Sequence, residues 1–401
     1  MARRLTISFL NTEAGSGLVL AGAAGLALFL ANSAWSSAYF ELINRPLTLQ
    51  VGAFRETESL ADWVKNGLMA IFFLVAGMQA KFEAVKGELS GPRRLALPIT
   101  AAIGGMVVPA LIYLAINQAP GGHPGGWPIA LGTDLALALS AFAVLARRLP
   151  PSLRMFLLTI ALVHNVGAVA LMGLRYTDIT NPRDLLVAVT VLAMLALLGR
   201  WRRAPFVFYA LGFVLVWAFT LHSGVPTSVA AIACAMTVPT GSRRAGQDST
   251  LSFFTDSLHP YVAFGVLPLF AFVAAGFRLV GMTGAEFFAP IPMGIVIALL
   301  VGKPLGILAF AALASAMRWG RRPAGSTWLE LLGVALLCGV GFTLSLFIGT
   351  LALPGVDVVN GPVRLGVIAG SVLSGAAGMT LLWVVSRRRP PARLAEREAD
   401  Y

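Results

Sequence analysis

Asp134, His164 and Asn165 are polar or ionisable residues set inside runs that are otherwise almost wholly apolar. Asp134 sits in Gly132-Thr133-Asp134-Leu-Ala-Leu, and the other two in Leu-Leu-Thr-Ile-Ala-Leu-Val-His164-Asn165-Val-Gly. Lys303 is likewise surrounded by the apolar run from Ile291 to Leu313. A charge in such a place is expensive to desolvate unless it is paired or lines a wet cavity. Within such runs Thr133 follows Gly132 directly and Thr343 lies two residues after Gly341. A Gly-Thr break can leave a helix open and present carbonyl oxygens and a hydroxyl to an ion. The chemistry these residue types offer is therefore the handling of an ion or a proton. Each residue also has a structural alternative. Asp134 and Lys303 could form an ion pair, His164 could be a hydrogen-bonded core residue, Asn165 could satisfy exposed backbone, and the two threonines could serve the broken helices.

No nucleophile-and-base constellation, glycine-rich phosphate loop or metal-ligand cluster is legible, so an enzyme, a bound cofactor and a resident metal are not expected. Cys234 and Cys338, the only two cysteines, lie in apolar runs and make neither a disulfide framework nor a metal site.

The elements that position these residues must span a bilayer. The 401-residue chain is 57% hydrophobic and 12% charged with a mean hydropathy of +0.81, about half the charged fraction of a soluble domain. Runs of roughly 17 to 25 apolar residues recur from Gly15 to Trp383, about twelve in all. The net charge of +12 does not indicate nucleic acid, because most of the 30 Lys and Arg residues fall in alternate loops and in the tail. That asymmetry predicts both termini in the cytoplasm and an even number of spans. The first span is expected at Gly15 to Ala31, retained rather than cleaved, and the third to fifth at Ala96–Ile116, Trp127–Leu145 and Leu153–Leu174. The ninth is expected to start near Val262, and the twelfth to run from Val363 to Val385 with Gly366, Gly370, Ser374 and Gly378 as a close-packing stripe. Leu47, Leu49 and Val51 alternate with polar residues, which predicts a small surface hairpin over Arg45 to Phe54.

Spans four and eleven are both broken by Gly followed by Thr, the second in Cys338-Gly-Val-Gly341-Phe-Thr343-Leu-Ser345. Paired breaks in corresponding positions predict inverted repeats, spans three to five and ten to twelve, with a binding site where the breaks meet. The fold class expected is an all-α polytopic membrane protein of about twelve helices with two broken crossing helices. The expected division is a core bundle over 96–174 and 288–386, an interface bundle over 15–90 and 183–280, and a cytoplasmic tail over 387–401.

Several stretches, in order along nearly the whole chain, resemble the NhaA family of sodium/proton antiporters. They include Asn66-Gly-Leu-Met-Ala-Ile-Phe-Phe-Leu, Gly132-Thr-Asp-Leu-Ala, Leu258-His-Pro-Tyr-Val-Ala, Gly302-Lys-Pro-Leu-Gly-Ile and Cys338-Gly-Val-Gly-Phe-Thr-Leu-Ser. The resemblance implies inverted repeats and Na+ or Li+ exchanged for H+ by alternating access in a bacterial inner membrane. It also implies a homodimer, with the hairpin as a candidate contact. The family's ion- and proton-carrying Asp-Asp pair reads His164-Asn165 here, whereas Asp134 and Lys303 match the motif. Gln79 stands where the family usually has a glutamate, Asn66 where it has an aspartate, and Thr255-Asp256 where it has Glu-His, while Glu83 is kept. The expected ion- or proton-binding set is Asp134, His164, Asn165, Lys303, Thr133 and Thr343, and the pH-response candidates are Gln79, Glu83, Asp256 and His259. Two other readings stay open. The scaffold could move a different ion or solute with proton coupling, or it could be a membrane protein that does not transport.

Overall fold

The computed structural model describes residues 13–52, 54–85, 92–200, 205–241, 249–353 and 361–387. About half of the basic residues on which the orientation argument rests, including nearly all of the tail, lie outside them. Among the described residues the chain is nearly all helix. Seven helices are long and apolar enough to cross a membrane, or up to nine if two bent pairs each count as one. With Pro182–Leu198, Phe206–Ser223 and Thr227–Thr237, the apolar segments number twelve, as expected.

The chain divides into two compact units. One comprises residues 1–19, 91–165 and 281–401, the other 20–90 and 166–280. Helices α1 (Glu13–Ala31) and α7 (Pro151–Arg175) pass from one to the other.

In the first unit, α5 (Pro92–Ile116) packs along α15 (Lys303–Ala316). Their axes can approach because glycines face each other. A Cβ on Gly306 would overlap the Gly104 carbonyl, and one on Gly104 would overlap the Gly306 carbonyl. Around this crossing lie α6 (Leu135–Leu145), α7, α14 (Pro290–Ile297) with the short α13 (Gly284–Phe287) before it in the chain, α16 (Trp328–Cys338), α17 (Phe342–Ala352) and α18 (Pro362–Arg387). Leu97, Phe142, Leu153, Phe156, Ile307, Leu331, Leu337 and Leu382 are among the residues of a continuous core. The small-residue stripe of α18 does what its spacing suggests. A Cβ on Gly366 would lie 2.9 Å from Pro292 Cα, and one on Gly378 would lie 3.0 Å from the Gly333 carbonyl, so α18 touches backbone on α14 and α16.

In the second unit, α2 (Ser36–Ile43) leads to a hairpin of β1 (Pro46–Val51) and β2 (Phe54–Ser59), paired from Pro46↔Ser59 to Val51↔Phe54. Gly52 takes a φ of +61° at the turn, which glycine adopts without strain. The second strand thus runs five residues past the expected Phe54, because Ser59 caps the next helix, α3 (Leu60–Trp63), through the Asp62 amide. A π turn over Val64–Leu68 joins α3 to α4 (Met69–Val85), which packs on α10 (Thr227–Thr237) and α11 (Thr250–Tyr261). Helices α8 (Pro182–Leu198) and α9 (Phe206–Ser223) complete the unit with α12 (Leu267–Ala275).

The ninth span differs from expectation. It begins at Thr250, not near Val262, and reaches Ala275. Ser249 caps its first turn, and the Thr255 hydroxyl bonds back to the Leu251 carbonyl, so polar residues that read as a loop sit on a helix. Pro260 lies inside the helix, and a π turn over Val262–Val266 follows it.

Candidate functional site

Both broken spans are open where the sequence places them. A short 3-10 helix over Pro124–Ala130 stops at a turn on Leu131, residues 132–134 are non-helical with Asp134 extended, and α6 starts at Leu135. In the other break α16 ends at Cys338 and α17 begins at Phe342, with a bend of 47°. The two breaks cross. The Asp134 amide donates to the Val340 carbonyl at 2.7 Å, and the Ser345 hydroxyl to the Ile129 carbonyl at 2.6 Å. Glycine is required at the crossing, since a Cβ on Gly132 would lie 2.7 Å from the Leu344 side chain and one on Gly341 3.2 Å from the Gly132 carbonyl.

Asp134 is the N-cap of α6, accepting from the Leu137 amide at 3.1 Å. Its other oxygen accepts from the Thr343 amide at 3.0 Å and the Thr343 hydroxyl at 2.5 Å, in the first turn of α17. One buried carboxylate therefore serves two helix N-termini, where the free amides and the aligned peptide dipoles both favour negative charge.

Lys303 serves the opposite ends. Its ammonium donates to the Gly132 carbonyl and, at 3.3 Å, to the Thr133 hydroxyl oxygen. The Thr133 hydroxyl is within 2.8 Å of the Cys338 carbonyl, the last of α16. A cation there faces carbonyls left unpaired where helices stop. A π turn over Ala298–Gly302 immediately precedes Lys303. The ion pair that Asp134 and Lys303 could have made with each other is not formed. Each charge is spent on backbone and threonine partners of its own, because half-helix ends of both signs lie at the crossing.

His164 and Asn165 face the same crossing from α7. His164 Nε2 lies 2.9 Å from the Ala102 carbonyl, so it carries a proton and donates. Nδ1 lies 2.8 Å from the Thr133 hydroxyl. The Asn165 amide nitrogen, turned toward the two carbonyls it faces, donates to Thr133 at 2.9 Å and Ala161 at 3.3 Å. Thus Asp134, Thr133, His164, Asn165, Lys303 and Thr343 form one buried cluster. It offers a hard cation oxygens from a carboxylate, two hydroxyls and several carbonyls, and one imidazole suited to a proton.

The four pH-response candidates lie elsewhere. Gln79 and Glu83 are half-buried near the end of α4, and Asp256 and His259 are exposed on α11, in the same unit.

Sequence reasoning passed over three serines and one carbonyl. Ser371 accepts from the Gly341 amide at 3.2 Å and Ser374 donates to the Leu336 carbonyl at 2.8 Å, so α18 ties both sides of the second break. Ser345 ties the two breaks, as described above. Period-four spacing had marked Ser374 only as a small residue, and nothing in a sequence marks the Ala102 carbonyl.

Broken helices meeting at buried charges near the middle of crossing segments define a secondary transporter of the inverted-repeat class. The chain matches the family model described as Na+/H+ antiporter 1 over residues 7–382. It is 41% identical over 387 residues to the Na+/H+ antiporter NhaA of Pseudomonas putida strain GB-1, covering 96% of this chain and 99% of that protein. A Rhodospirillum rubrum NhaA is 41% identical over 400 residues, covering 97% and 99%. An NhaA 1 of Syntrophotalea carbinolica is 40% identical over 381 residues, covering 95% and 96%. This chain belongs to the NhaA family of Na+/H+ antiporters. It is a multi-pass membrane protein and a transporter rather than an enzyme.

Proposed function

We propose that this protein exchanges Na+ or Li+ for H+ by alternating access, with Asp134, Thr133, Thr343, His164, Asn165 and Lys303 as the ion- and proton-binding residues. The observation that carries the reading is the Asp134 carboxylate held at two helix N-termini where the broken helices cross. A cation arriving at Asp134 competes with those amides for the same oxygens. Asp134 can therefore pass between a cation-bound and an amide-bound state without leaving its place. In this proposal residues 96–174 and 288–386 form the moving core, 15–90 and 183–280 the interface bundle, and the last residues from 387 a tail. The protein resides in a bacterial inner membrane with both termini in the cytoplasm, as a homodimer joined through its hairpin. Cross-linking of a cysteine placed at Leu49 tests that contact. Gln79, Glu83, Asp256 and His259 are assigned to the pH response.

One observation favours a second reading, in which the same scaffold carries another ion or solute with proton coupling. His164 and Asn165 are committed to the carbonyls of Ala102, Thr133 and Ala161 and bring no carboxylate, so the cluster has a single acid. The test is dequenching of a pH-sensitive dye in inside-out vesicles, adding sodium, lithium and potassium in turn from mildly acidic to alkaline pH. Antiport predicts a Na+ or Li+ response lost in Asp134→Asn. A folded, inserted protein that answers no cation overturns antiport and makes a solute screen the next measurement.

A further inference from the structure

The loop between α15 and α16 carries a built feature that transport does not use. It leaves the crossing segment Pro290–Ala316 and enters the bent pair Trp328–Cys338 and Phe342–Ala352, so it lies at the membrane surface. Arg318 ends α15 in the left-handed region, at a φ of 58°, and is the only non-glycine residue with positive φ among the described residues. The Trp319 amide closes the helix on the Ala314 carbonyl at 3.0 Å, and the Arg318 amide on the Ser315 carbonyl at 3.1 Å. That cap usually takes glycine. Here it takes an arginine and points the chain outward.

The rest of the loop is ordered. Ser152, at the start of α7, donates to the Ala324 carbonyl at 2.7 Å, and the Ser326 hydroxyl to the Pro323 carbonyl at 2.6 Å. Gly325 turns the chain at a φ of +69°. The result is a concavity of about 350 Å³ lined by Arg321, Arg322, Ser315, Gly325 and Trp328. The Arg322 guanidinium lies 5.8 Å from the centre of the Trp328 ring, which restricts it to the rim. Between Lys303 and Leu329 the sequence holds no carboxylate. The next one, Glu330, is buried and accepts from the Thr327 amide at 2.8 Å. Arg321 and Arg322 thus line the concavity, with Arg318 exposed in the same loop, and no acid lies in the loop to neutralise them.

Beside them are exposed apolar side chains. Trp319, Trp328, Met317 and Leu313 are 52%, 40%, 50% and 48% exposed. Tryptophan at the headgroup level, arginine reaching for phosphate and aliphatic groups below them are the side chains a protein sets against a lipid molecule. A guanidinium pair suits a phosphate because its donors meet two oxygens at once. A free phosphate in water would need no apolar neighbours, and this combination therefore fits a lipid.

We propose that the Arg321–Arg322–Trp328 concavity binds the phosphate headgroup of an anionic phospholipid of the surrounding leaflet, with the acyl chains lying along Leu313, Met317 and Trp319. The full-length protein in detergent, given phosphatidylglycerol and examined by native mass spectrometry, should retain a lipid that phosphatidylcholine does not replace. Arg321→Gln with Arg322→Gln should weaken retention by roughly 30-fold, about fivefold for each cation removed at a membrane surface. Arg183→Gln with Arg278→Gln, which removes two exposed cations elsewhere, should leave it unchanged. Melting curves without lipid check that both doubles are folded, and the single variant Arg321→Gln serves if the loop double is not. Equal retention by the two doubles overturns the site. Displacement of the lipid by soluble glycerol phosphate at the same concentration overturns the assignment to a membrane lipid.

Discussion

If Asp134 holds the two broken helices together through Thr343, removing the Thr343 hydroxyl should weaken the fold by an amount set by that one bond. Thr343→Val keeps the backbone amide that also donates to Asp134, and it keeps the carboxylate charge. What it removes is a 2.5 Å hydrogen bond to a buried ionised acceptor. Such bonds contribute about 1.5–3 kcal/mol. Replacing a buried hydroxyl with a methyl returns roughly 1 kcal/mol of apolar transfer. The expected net loss is therefore about 0.5–2 kcal/mol, with Thr343→Ser close to wild type. The diagnostic quantity is the coupling. In an Asp134→Asn background the hydroxyl loses its charged acceptor, so Thr343→Val should cost about 1 kcal/mol less than it does in the wild type. The assay is equilibrium unfolding of the purified protein in mixed micelles with increasing SDS, run as a double-mutant cycle. A coupling below about 0.5 kcal/mol refutes the claim that Asp134 and Thr343 form the joint between the breaks.

Three further outcomes follow from the same geometry. Thr133→Val strips the one hydroxyl shared by His164, Lys303 and the Cys338 carbonyl, and should destabilise by roughly 1–3 kcal/mol in the same unfolding assay, with Thr133→Ser restoring most of it. Gly306→Ala forces α15 away from the Gly104 carbonyl and should cost about 1–3 kcal/mol, whereas Gly265→Ala, with nothing within 4 Å of the new methyl, should be neutral in the same melt. Glu58 on the hairpin is half-buried, and burial, helped by repulsion from Asp62 and Glu56, raises its pKa against the opposing hydrogen bond from Asn66 and the Lys65 charge. A raised carboxyl binds its proton more tightly folded than unfolded, so its stabilisation is present in acid and is lost as pH rises through the folded value. Glu58→Gln should therefore melt at or above wild type at neutral pH, and that advantage should shrink as pH falls toward the ordinary value of 4.5. A gap independent of pH counts against this account.

The architecture was largely written in the sequence because bilayer crossing leaves coarse marks. Apolar runs give the spans, and a Gly-Thr pair inside one gives the break, since nothing else explains a helix breaker at that depth. The hairpin showed itself through alternation at Leu47, Leu49 and Val51. What the sequence hid is direction. It displayed Asp134 and Lys303 as opposite charges in matching environments and so made an ion pair natural. Only the backbone shows that each faces a helix end of the complementary sign. His164 was hidden in the same way, because its partner is the Ala102 carbonyl, and a carbonyl has no letter of its own. The start of the ninth span was misplaced because Ser249, Ser252 and Thr255 read as loop residues, although threonine and serine can satisfy their hydroxyls on the preceding turn.

His164 and Asn165 stand where the family resemblance implies two acids, and they bring an imidazole and an amide to the cluster in place of carboxylates. Lys303 and Asp134 together are neutral, and each is already balanced by helix ends of opposite sign, while α7 adds the Asn165 bond to the Thr133 carbonyl and the His164 contact with the Thr133 hydroxyl. A second or third carboxylate would have made the cavity anionic and tied cation binding to proton release at those acids. With an imidazole and an amide in their place, the one acid able to hold a cation is also the one that caps α6 and α17. In the proposed function, cation binding and the joint between the broken helices then depend on the same two oxygens. Any ion bound at Asp134 must weaken the bonds from Leu137 and Thr343 that keep the breaks closed. In the function proposed above, the coupling between occupancy and helix movement therefore runs through a single side chain.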